Sequence, residues 1–364
     1  MSGAVWAHVG QPFEERAFDT VILGAGRMGT AAADWLRRTR PEQSLLLVEE
    51  GGLPNEEGAT LLAAGLWEAP AQATDLAQRT LDCLEELGER AGWQPGVPLL
   101  TLETVPGPQS FPTAEALERW PELRGVIDPA LWPWVRAQEA GLYRPGALAL
   151  ALGQRAVQAG AGLMLNTRAA LVPGGVQLSR LTVTNTHEVV VHEVHQVQAG
   201  QVIVALGASG PQHAEESLGL HTRHGRAYVQ RPRLNAPLTE QSPALRVPGL
   251  LLRPQSGGYT LYPAPRAADP HGYVPVPGRL SGVPVGLRRE VLETLLTHME
   301  GLPALASSAL EVGRSLSDVP GTWVALPSGQ PGHPPVLERL SPSVSLLLGG
   351  EQADVLGVGV AQQL

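Results

Sequence analysis

Residues 19–50 contain the pattern that most constrains the fold. A short apolar strand, DTVIL, leads into GAGRMG, a helix is predicted from about Met28 to Thr39, and a second apolar strand, SLLLVE, follows. Strands that are apolar on both faces are typical of buried parallel sheets. The order strand, turn, helix, strand therefore predicts an α/β fold with a doubly wound, Rossmann-like parallel sheet.

The turn in this unit carries a dinucleotide-binding fingerprint, G-x-G-x-x-G, formed by Gly24, Gly26 and Gly29. The first glycine permits a tight turn, the second lets the backbone approach a pyrophosphate, and the third lets the helix pack closely on the strand. The helix N-terminus offers free N–H groups and a positive dipole to the phosphates. The pattern predicts cofactor contacts at the turn and at the first helical residues, Arg27 and Met28.

An acidic residue ends the second strand. Glu49 lies 20 residues after Gly29, the spacing at which a carboxylate accepts hydrogen bonds from the adenosine ribose. Glu50 follows it, and we expect one of the two acids to be solvated. A carboxylate here disfavours a 2′-phosphate, so NADP is not predicted.

The next segment distinguishes FAD from NAD. An NAD-binding domain would continue into a helix and another parallel strand, whereas residues 51–67 contain several glycines and a proline, as extended backbone near a ligand does. Thr60 can offer a hydroxyl to a phosphate, and the small residues around Gly65 let a flat ring approach the main chain. The alternative is a core helix, in which Gly65 would cost about 1 kcal/mol relative to Ala.

The remainder of the chain predicts further elements. Residues 72–90 form an amphipathic helix, 93–135 are rich in Pro and Trp and predict a loop-rich insertion, 222–285 predict an antiparallel sheet, and 287–300 predict a helix.

Composition excludes several classes of function. The net charge of −9 disfavours nucleic-acid binding, and the complete absence of lysine excludes Schiff-base chemistry on a lysine. The chain contains no apolar run long enough to span a bilayer and no signal-peptide pattern at its start, so a cytoplasmic protein without a membrane partner is expected. His192 and His195 point to opposite faces of a predicted strand, so no metal site is expected. The oligomeric state is not predicted.

The segment T-x-x-A-A-G-L-W, from Thr60 to Trp67, resembles the FAD-dependent oxidases of the D-amino-acid oxidase and glycine oxidase family. The resemblance implies an FAD-binding domain interleaved with a smaller antiparallel-sheet substrate domain. The corresponding ranges are 17–92, 141–221 and 302–364 for the first domain, and 93–140 and 222–301 for the second.

The same resemblance implies where FAD lies. Thr60 would be near the pyrophosphate, and the backbone of Ala64, Gly65 and Leu66 would line the flavin. Ala170 would meet the adenine, and the second glycine turn, VIVALGASG, would approach the ADP part. Near the C-terminus the family usually has G-H-x-x-x-G, where this chain has Gly349, Gly350 and Asp354. The remaining cofactor residues that the resemblance implies are Gly207 and Ala208.

The substrate site departs from the family pattern. GGYTLYPAPR resembles the segment that supplies a substrate tyrosine, which is Tyr259 or, as the alternative, Tyr262. The arginine that holds the substrate carboxylate in the family corresponds to Pro327, and proline cannot replace its bidentate pairing. Three explanations stay open: another arginine takes the carboxylate, the substrate is an amine without a carboxylate, or the protein binds flavin without turnover. The candidate arginines are Arg253, Arg266 and Arg314, of which Arg266 is included among the predicted substrate contacts.

The resemblance implies oxidation of an amine, a small D-amino acid or glycine by hydride transfer to FAD, with dioxygen as the acceptor. The alternative is a non-catalytic FAD-binding protein of the same fold, and an NAD-dependent dehydrogenase is a third hypothesis that residues 51–67 disfavour.

Overall fold

The computed structural model describes residues 3–185, 188–265, 287–306, 310–311 and 319–364. Within these ranges the chain forms two nine-stranded sheets, a two-stranded ribbon and seven α-helices. The strands are β1 (Val5–Trp6), β2 (Ala17–Leu23), β3 (Leu45–Val48), β4 (Leu66–Glu68), β5 (Gln94–Glu103), β6 (Ser110–Pro112), β7 (Trp134–Leu142), β8 (Gly162–Met164), β9 (Thr167–Val172), β10 (Gly175–Val183), β11 (Val189–Val204), β12 (Gly225–Gln230), β13 (Arg233–Asn235), β14 (Ala244–Val247), β15 (Leu250–Gln255), β16 (Gly258–Pro263), β17 (Leu310–Glu311), β18 (Gly321–Leu326), β19 (Val336–Ser341) and β20 (Val344–Leu348). The helices are α1 (Arg27–Thr39), α2 (Thr74–Leu87), α3 (Thr113–Arg119), α4 (Pro145–Gln158), α5 (Gly210–Leu218), α6 (Arg289–His298) and α7 (Ala353–Ala361).

The first sheet contains the predicted Rossmann-like unit. Its strand order is β1-β8-β3-β2-β11-β10-β9, and β20 pairs with β11 while β19 pairs with β20. The pairs β8–β3, β3–β2, β2–β11 and β11–β20 are parallel. All four residues of β3 are buried, as expected for a parallel strand that is covered on both faces.

Helices α1, α2, α4 and α7 cover one face of this sheet and form one apolar core with it. On α1, small side chains pack against its neighbours, since Ala31, Ala32 and Ala33 are all essentially inaccessible to solvent. Small residues let helix axes approach closely, so the four helices pack together over one face of the sheet.

The second sheet has the order β17-β13-β16-β15-β14-β5-β7-β4, with β6 also paired to β7. Its pairs are antiparallel except for β14–β5. The prediction of a loop-rich insertion over 93–135 was wrong, because β5 is a ten-residue strand at the middle of this sheet. Its prolines, Pro95 and Pro98, hide the strand pattern, and the register shifts beside the first of them.

The segment that follows Glu49 is not a helix. Residues 58–63 form turns and bends, and Leu66 then begins β4, which pairs antiparallel with β7 at the edge of the second sheet. The core-helix alternative for this segment was therefore wrong. The chain passes from the end of β3 in one sheet to the edge of the other through residues 51–65.

No helix in the described ranges combines the length and the apolar character that crossing a membrane requires.

The contact of α7 with α2 depends on Gly359. A Cβ at this position would lie 2.2 Å from the Leu76 carbonyl oxygen, whereas one at Gly357, on the same helix, would lie 3.0 Å from the flexible Met28 thioether and 3.3 Å from the Ala353 Cβ. We predict that Gly359→Ala lowers the free energy of unfolding by about 1–3 kcal/mol, because the backbone of α2 must move. Gly357→Ala is the matched control and is expected to be neutral or stabilising by up to about 1 kcal/mol, since alanine favours the helix. Thermal unfolding measures both, and equal melting temperatures would contradict the prediction.

Candidate functional site

Four neighbouring parallel strands of the first sheet end at one edge. Glu49 follows β3, Gly24 follows β2, Gly207 lies just after β11, and Gly349 follows β20. Because the carboxyl ends of parallel strands form the ligand-binding crevice of open α/β sheets, this edge is the candidate site. The structure thus brings together predicted residues that lie far apart in the sequence.

The glycine turn is shaped by two close backbone contacts. Gly24 has φ of +98°, and a Cβ there would lie 2.5 Å from the Ala205 carbonyl oxygen. A Cβ at Gly29 would lie 1.8 Å from the carbonyl oxygen of Gly24. Only glycine allows this approach, so these two glycines set α1 directly against the ends of β2 and β11.

The N-terminus of α1 faces the predicted threonine. The Thr60 hydroxyl accepts a hydrogen bond of 3.1 Å from the Arg27 N–H, and a Cβ at Gly26 would lie 3.2 Å from the same hydroxyl oxygen. Met28 differs, because its side chain is buried and packs beside Gly349 and Gly357. Its side chain therefore belongs to the core, and only its backbone faces the turn.

Glu49 and Glu50 have different environments. The buried Glu49 carboxylate accepts hydrogen bonds from the Ala25 N–H (2.6 Å), the Gly51 N–H (3.1 Å) and the Asn55 side-chain amide (2.8 Å). Glu50 is exposed and pairs with Arg168 at 2.5 Å. Glu49 is thus the acid inside the site, and Glu50 is the solvated one.

Ala170, predicted to meet the adenine, and Gly207 and Ala208, predicted near the ADP part, lie at the same edge. Ala170 is half-buried on β9, whose first residue, Thr167, donates its N–H to the Glu49 carbonyl at 2.9 Å. Gly207 has φ of +55°, and a Cβ there would meet no atom within 4 Å. Ala208 follows it and is half-buried. These residues therefore line the rim rather than the packed interior.

A buried polar cluster lies between α1, α7 and the wall formed by residues 62–66. The Arg27 guanidinium forms an ion pair with Asp354 and donates to the Gly350 carbonyl at 2.8 Å. Asp354 also accepts the Gly65 N–H at 2.9 Å and the Tyr143 hydroxyl at 3.1 Å. Burial, and then the charge of Asp354, raises the pKa of Tyr143 well above its usual value, so this phenol stays protonated.

The two predicted tyrosines face in opposite directions. Successive residues of a strand alternate between faces, so residues 259 and 262 of β16 cannot share one face. Tyr262 points to the wall, where its hydroxyl donates to the Ala63 carbonyl at 3.4 Å. Tyr259 is fully buried in the core of the second sheet and donates to the Pro243 carbonyl at 2.8 Å. The structure therefore does not place Tyr259 at the site, contrary to the sequence-based preference.

Of the three candidate arginines, one lies within the described residues. Arg253 lies beside the cluster and donates to the Tyr143 carbonyl at 3.1 Å. Arg266 and Arg314 lie outside the described residues. Pro327 is buried against Gly350, next to the turn that precedes α7.

The sequence did not predict three residues of this region. These are Arg231, Tyr143 and Asp354, of which Asp354 forms the ion pair with Arg27. Arg231 directly follows β12, and its guanidinium lies 4.7 Å from the centre of the Tyr262 ring. The one signal in the sequence was the position of Asp354, where the family pattern has glycine. Within the described ranges, no group of three or more His, Cys, Asp or Glu side chains is arranged to hold a metal ion.

Comparisons with known proteins agree with this architecture. A family model described as DAO, FAD dependent oxidoreductase, matches residues 19–353. Glycine oxidase from Geobacillus kaustophilus has a similar structure, with a TM-score of 0.66, 19% identity, and coverage of 96% of this chain and 95% of that one. L-amino acid deaminase from Proteus myxofaciens, in complex with anthranilate, has a TM-score of 0.66 at 13% identity, covering 100% and 93%.

A third structure is that of glycerol-3-phosphate dehydrogenase from Bacillus halodurans complexed with FAD. Its TM-score is 0.65 at 13% identity, with coverage of 96% of this chain and 63% of that one. At these identities the structural likenesses show the fold alone. No curated protein sequence matches the chain.

The groups at the sheet edge fit FAD in their chemistry. A glycine turn and a helix N-terminus suit a pyrophosphate, the Arg27 guanidinium adds positive charge, and Glu49 offers carboxylate oxygens to a ribose. In this structure these groups bond to one another through Thr60, Asn55 and Asp354.

The two adjacent acids provide a matched test of the Glu49 network. We predict that Glu49→Gln lowers the free energy of unfolding by about 1.5–3 kcal/mol, because charge-assisted hydrogen bonds to two backbone N–H groups are weakened. Glu50→Gln removes only an exposed ion pair and should cost less than about 1 kcal/mol. Denaturant unfolding of both variants measures the difference, and equal losses would show that the buried network is not stabilising.

Proposed function

The chain belongs to the DAO family of FAD-dependent oxidoreductases, and on that premise we propose that it oxidises a small amino acid or amine at the carbon bonded to nitrogen. The observation that carries this proposal is the position of the wall of residues 62–66. On the side of α1 and α7, the Gly65 N–H donates to the Asp354 carboxylate at 2.9 Å. On the other side, the Ala63 carbonyl accepts the Tyr262 hydroxyl at 3.4 Å. A flavin ring that lies along this wall would therefore have the Arg27–Asp354 cluster on one side. Tyr262, on the other side, would face the substrate.

We assign the cofactor contacts as follows. The turn Gly24–Gly29 and Thr60 would hold the pyrophosphate, and Glu49 would bind the ribose. Ala170 would border the adenine, and Gly207 and Ala208 would border the ADP part. The wall residues Ala64, Gly65 and Leu66, together with Gly349 and Gly350, would lie along the flavin.

Binding would require two protein contacts to open. The Thr60 hydroxyl now caps the Arg27 N–H, and the Asp354 carboxylate now holds both the Arg27 side chain and the Gly65 N–H. A pyrophosphate carries the same charge sign as Asp354 and competes for the same donors. The ion pair thus acts as an internal competitor of the cofactor.

When bound, FAD supplies the two-electron acceptor that the oxidation requires, and we propose dioxygen as the species that later reoxidises it. The protein's part is to position the substrate, exclude water and hold protons. Burial raises the pKa of Tyr262, so its hydroxyl stays protonated and serves as a hydrogen-bond donor rather than a base. Tyr143 is also buried and protonated, and it fixes the position of Asp354.

A second candidate function is cofactor binding without turnover. Two observations favour it: Pro327 stands at the family's arginine position, and Asp354 occupies donors that a flavin would need. The NAD-dependent hypothesis has no support, because the family is FAD-dependent.

The decisive experiment is a spectrum followed by a substrate panel. The FAD-loaded protein is mixed anaerobically with glycine, sarcosine, a set of D- and L-amino acids and simple amines. We expect at least one to bleach the visible absorbance of the oxidised flavin and to yield hydrogen peroxide on return to air. If the protein binds FAD but no compound bleaches the flavin, the result would support cofactor binding without turnover instead. A protein that fails to bind FAD would contradict both.

The Arg27–Asp354 pair predicts a cofactor-affinity effect. We expect Asp354→Asn to bind FAD about 10-fold or more tightly than the wild type, because the charged competitor for Arg27 and Gly65 is removed. Before FAD is added, the same variant should melt at a lower temperature, since Arg27 loses its buried partner. Flavin fluorescence titration of the apoprotein measures the dissociation constant.

The control for this experiment is Asp75→Asn, which removes an exposed acid from the first turn of α2. It should leave FAD affinity unchanged. Weaker FAD binding by Asp354→Asn would show that Asp354 supports the cofactor rather than competing with it.

A further inference from the structure

The Arg231 side chain is buried, and it forms no ion pair with a carboxylate among the described residues. It is 8% exposed, and its Nε donates to the Leu62 carbonyl at 3.2 Å, while Nη1 donates to the carbonyls of Gln230 and Pro263 at 3.4 Å each. In the described part of the chain no carboxylate lies within ion-pair distance of it. Among the described residues, its contacts are therefore neutral oxygens and the face of Tyr262, while the charges of Glu351 and Asp354 act on it from beyond ion-pair distance.

A second arginine stands on the same side of the wall. Arg253 gives one hydrogen bond, from Nη2 to the Tyr143 carbonyl, and its buried Nε has no partner among the described residues. The two acids on the α7 side, Asp354 and Glu351, already have other hydrogen-bond partners. Asp354 pairs with Arg27, and Glu351 accepts the Gly332 N–H at 3.0 Å. Two guanidinium groups beside Tyr262 thus retain donors that no acid of the described chain fills.

Such an arrangement is costly unless an anion completes it. A buried cation loses its hydration, and weak hydrogen bonds to carbonyls replace only part of it. Burial accordingly lowers the pKa of Arg231 from its usual value, yet arginine stays charged in proteins. The planar fork of a guanidinium matches a carboxylate, with which it forms two parallel charge-assisted hydrogen bonds.

We propose that Arg231, with Arg253 beside it, binds the substrate carboxylate, and that the substrate is therefore a small amino acid rather than an amine without a carboxylate. This inference rests on the proposed function. In the ribbon, Gly225 of β12 pairs with Leu326 of β18, next to Pro327, whereas Gln230 pairs with Gly321. Arg231 thus lies at the opposite end of the ribbon from Pro327, and the carboxylate is held from that end. Stacking on Tyr262 fixes the plane of the guanidinium.

Binding of a substrate-sized carboxylate tests the proposal without turnover. Anthranilate and its neutral amide, anthranilamide, are titrated calorimetrically into the FAD-loaded protein. We expect the wild type to bind anthranilate at least about 10-fold more tightly than the amide. Arg231→Met should weaken anthranilate binding by about 10- to 100-fold and remove the preference over the amide. Arg231→Lys retains the charge without the fork and should fall between the two.

The matched control is Arg226→Met. Arg226 lies on β12 and stacks on Trp323 at 4.8 Å, so the substitution removes an arginine stacked on an aromatic ring away from the Tyr262 wall. It should bind anthranilate like the wild type. Unchanged binding by Arg231→Met, or a loss confined to Arg253→Met, would overturn the assignment of Arg231.

Kinetics separate this inference from the proposed function. If glycine or another amino acid bleaches the flavin, Arg231→Met should raise KM for it by about 10-fold or more, with a smaller effect on kcat. If amino acids and matched amines bleach the flavin equally well, the enzyme assignment stands and the carboxylate site is wrong. If no compound bleaches the flavin, the oxidation proposal fails, while calorimetry still decides whether Arg231 binds an anion.

Discussion

The close approach of α1 to the ends of β2 and β11 is the constraint on which the rest of the site depends. It exists because Gly24 and Gly29 have no Cβ where the carbonyl oxygens of Ala205 and Gly24 stand. That approach directs the α1 N-terminus to the sheet edge and sets Arg27 opposite α7. Glu49, Thr60 and Asp354 then meet donors that this single packing contact has positioned.

Much of the structure at the candidate site's sheet edge could be predicted because its determinants are local. The fingerprint glycines, the following helix and the acid at the end of β3 lie within one continuous stretch, and each has a short-range physical reason. The non-helical character of residues 51–65 also followed from glycine and proline content, although part of this segment forms turns rather than the extended backbone that was expected. The long strand β5 was missed because its prolines suppress the alternation that identifies strands.

The substrate side could not be predicted to the same depth, because its residues are brought together only by sheet topology. The choice between Tyr259 and Tyr262 depends on which face of β16 is turned to the wall, and one residue of register reverses that face. Arg231 lies directly after a short strand, with nothing in its neighbourhood to distinguish it from other arginines. Only burial against Tyr262 and the absence of an acid within reach, among the described residues, set it apart.

The wall of residues 62–66 also connects the two sheets of the molecule. It runs directly into β4, which is hydrogen-bonded to β7 at the edge of the second sheet, while Gly65 is also tied to α7 of the first unit through Asp354. The same few backbone atoms are therefore anchored to both layers of the molecule. A relative displacement of the two sheets must therefore strain or reposition these atoms.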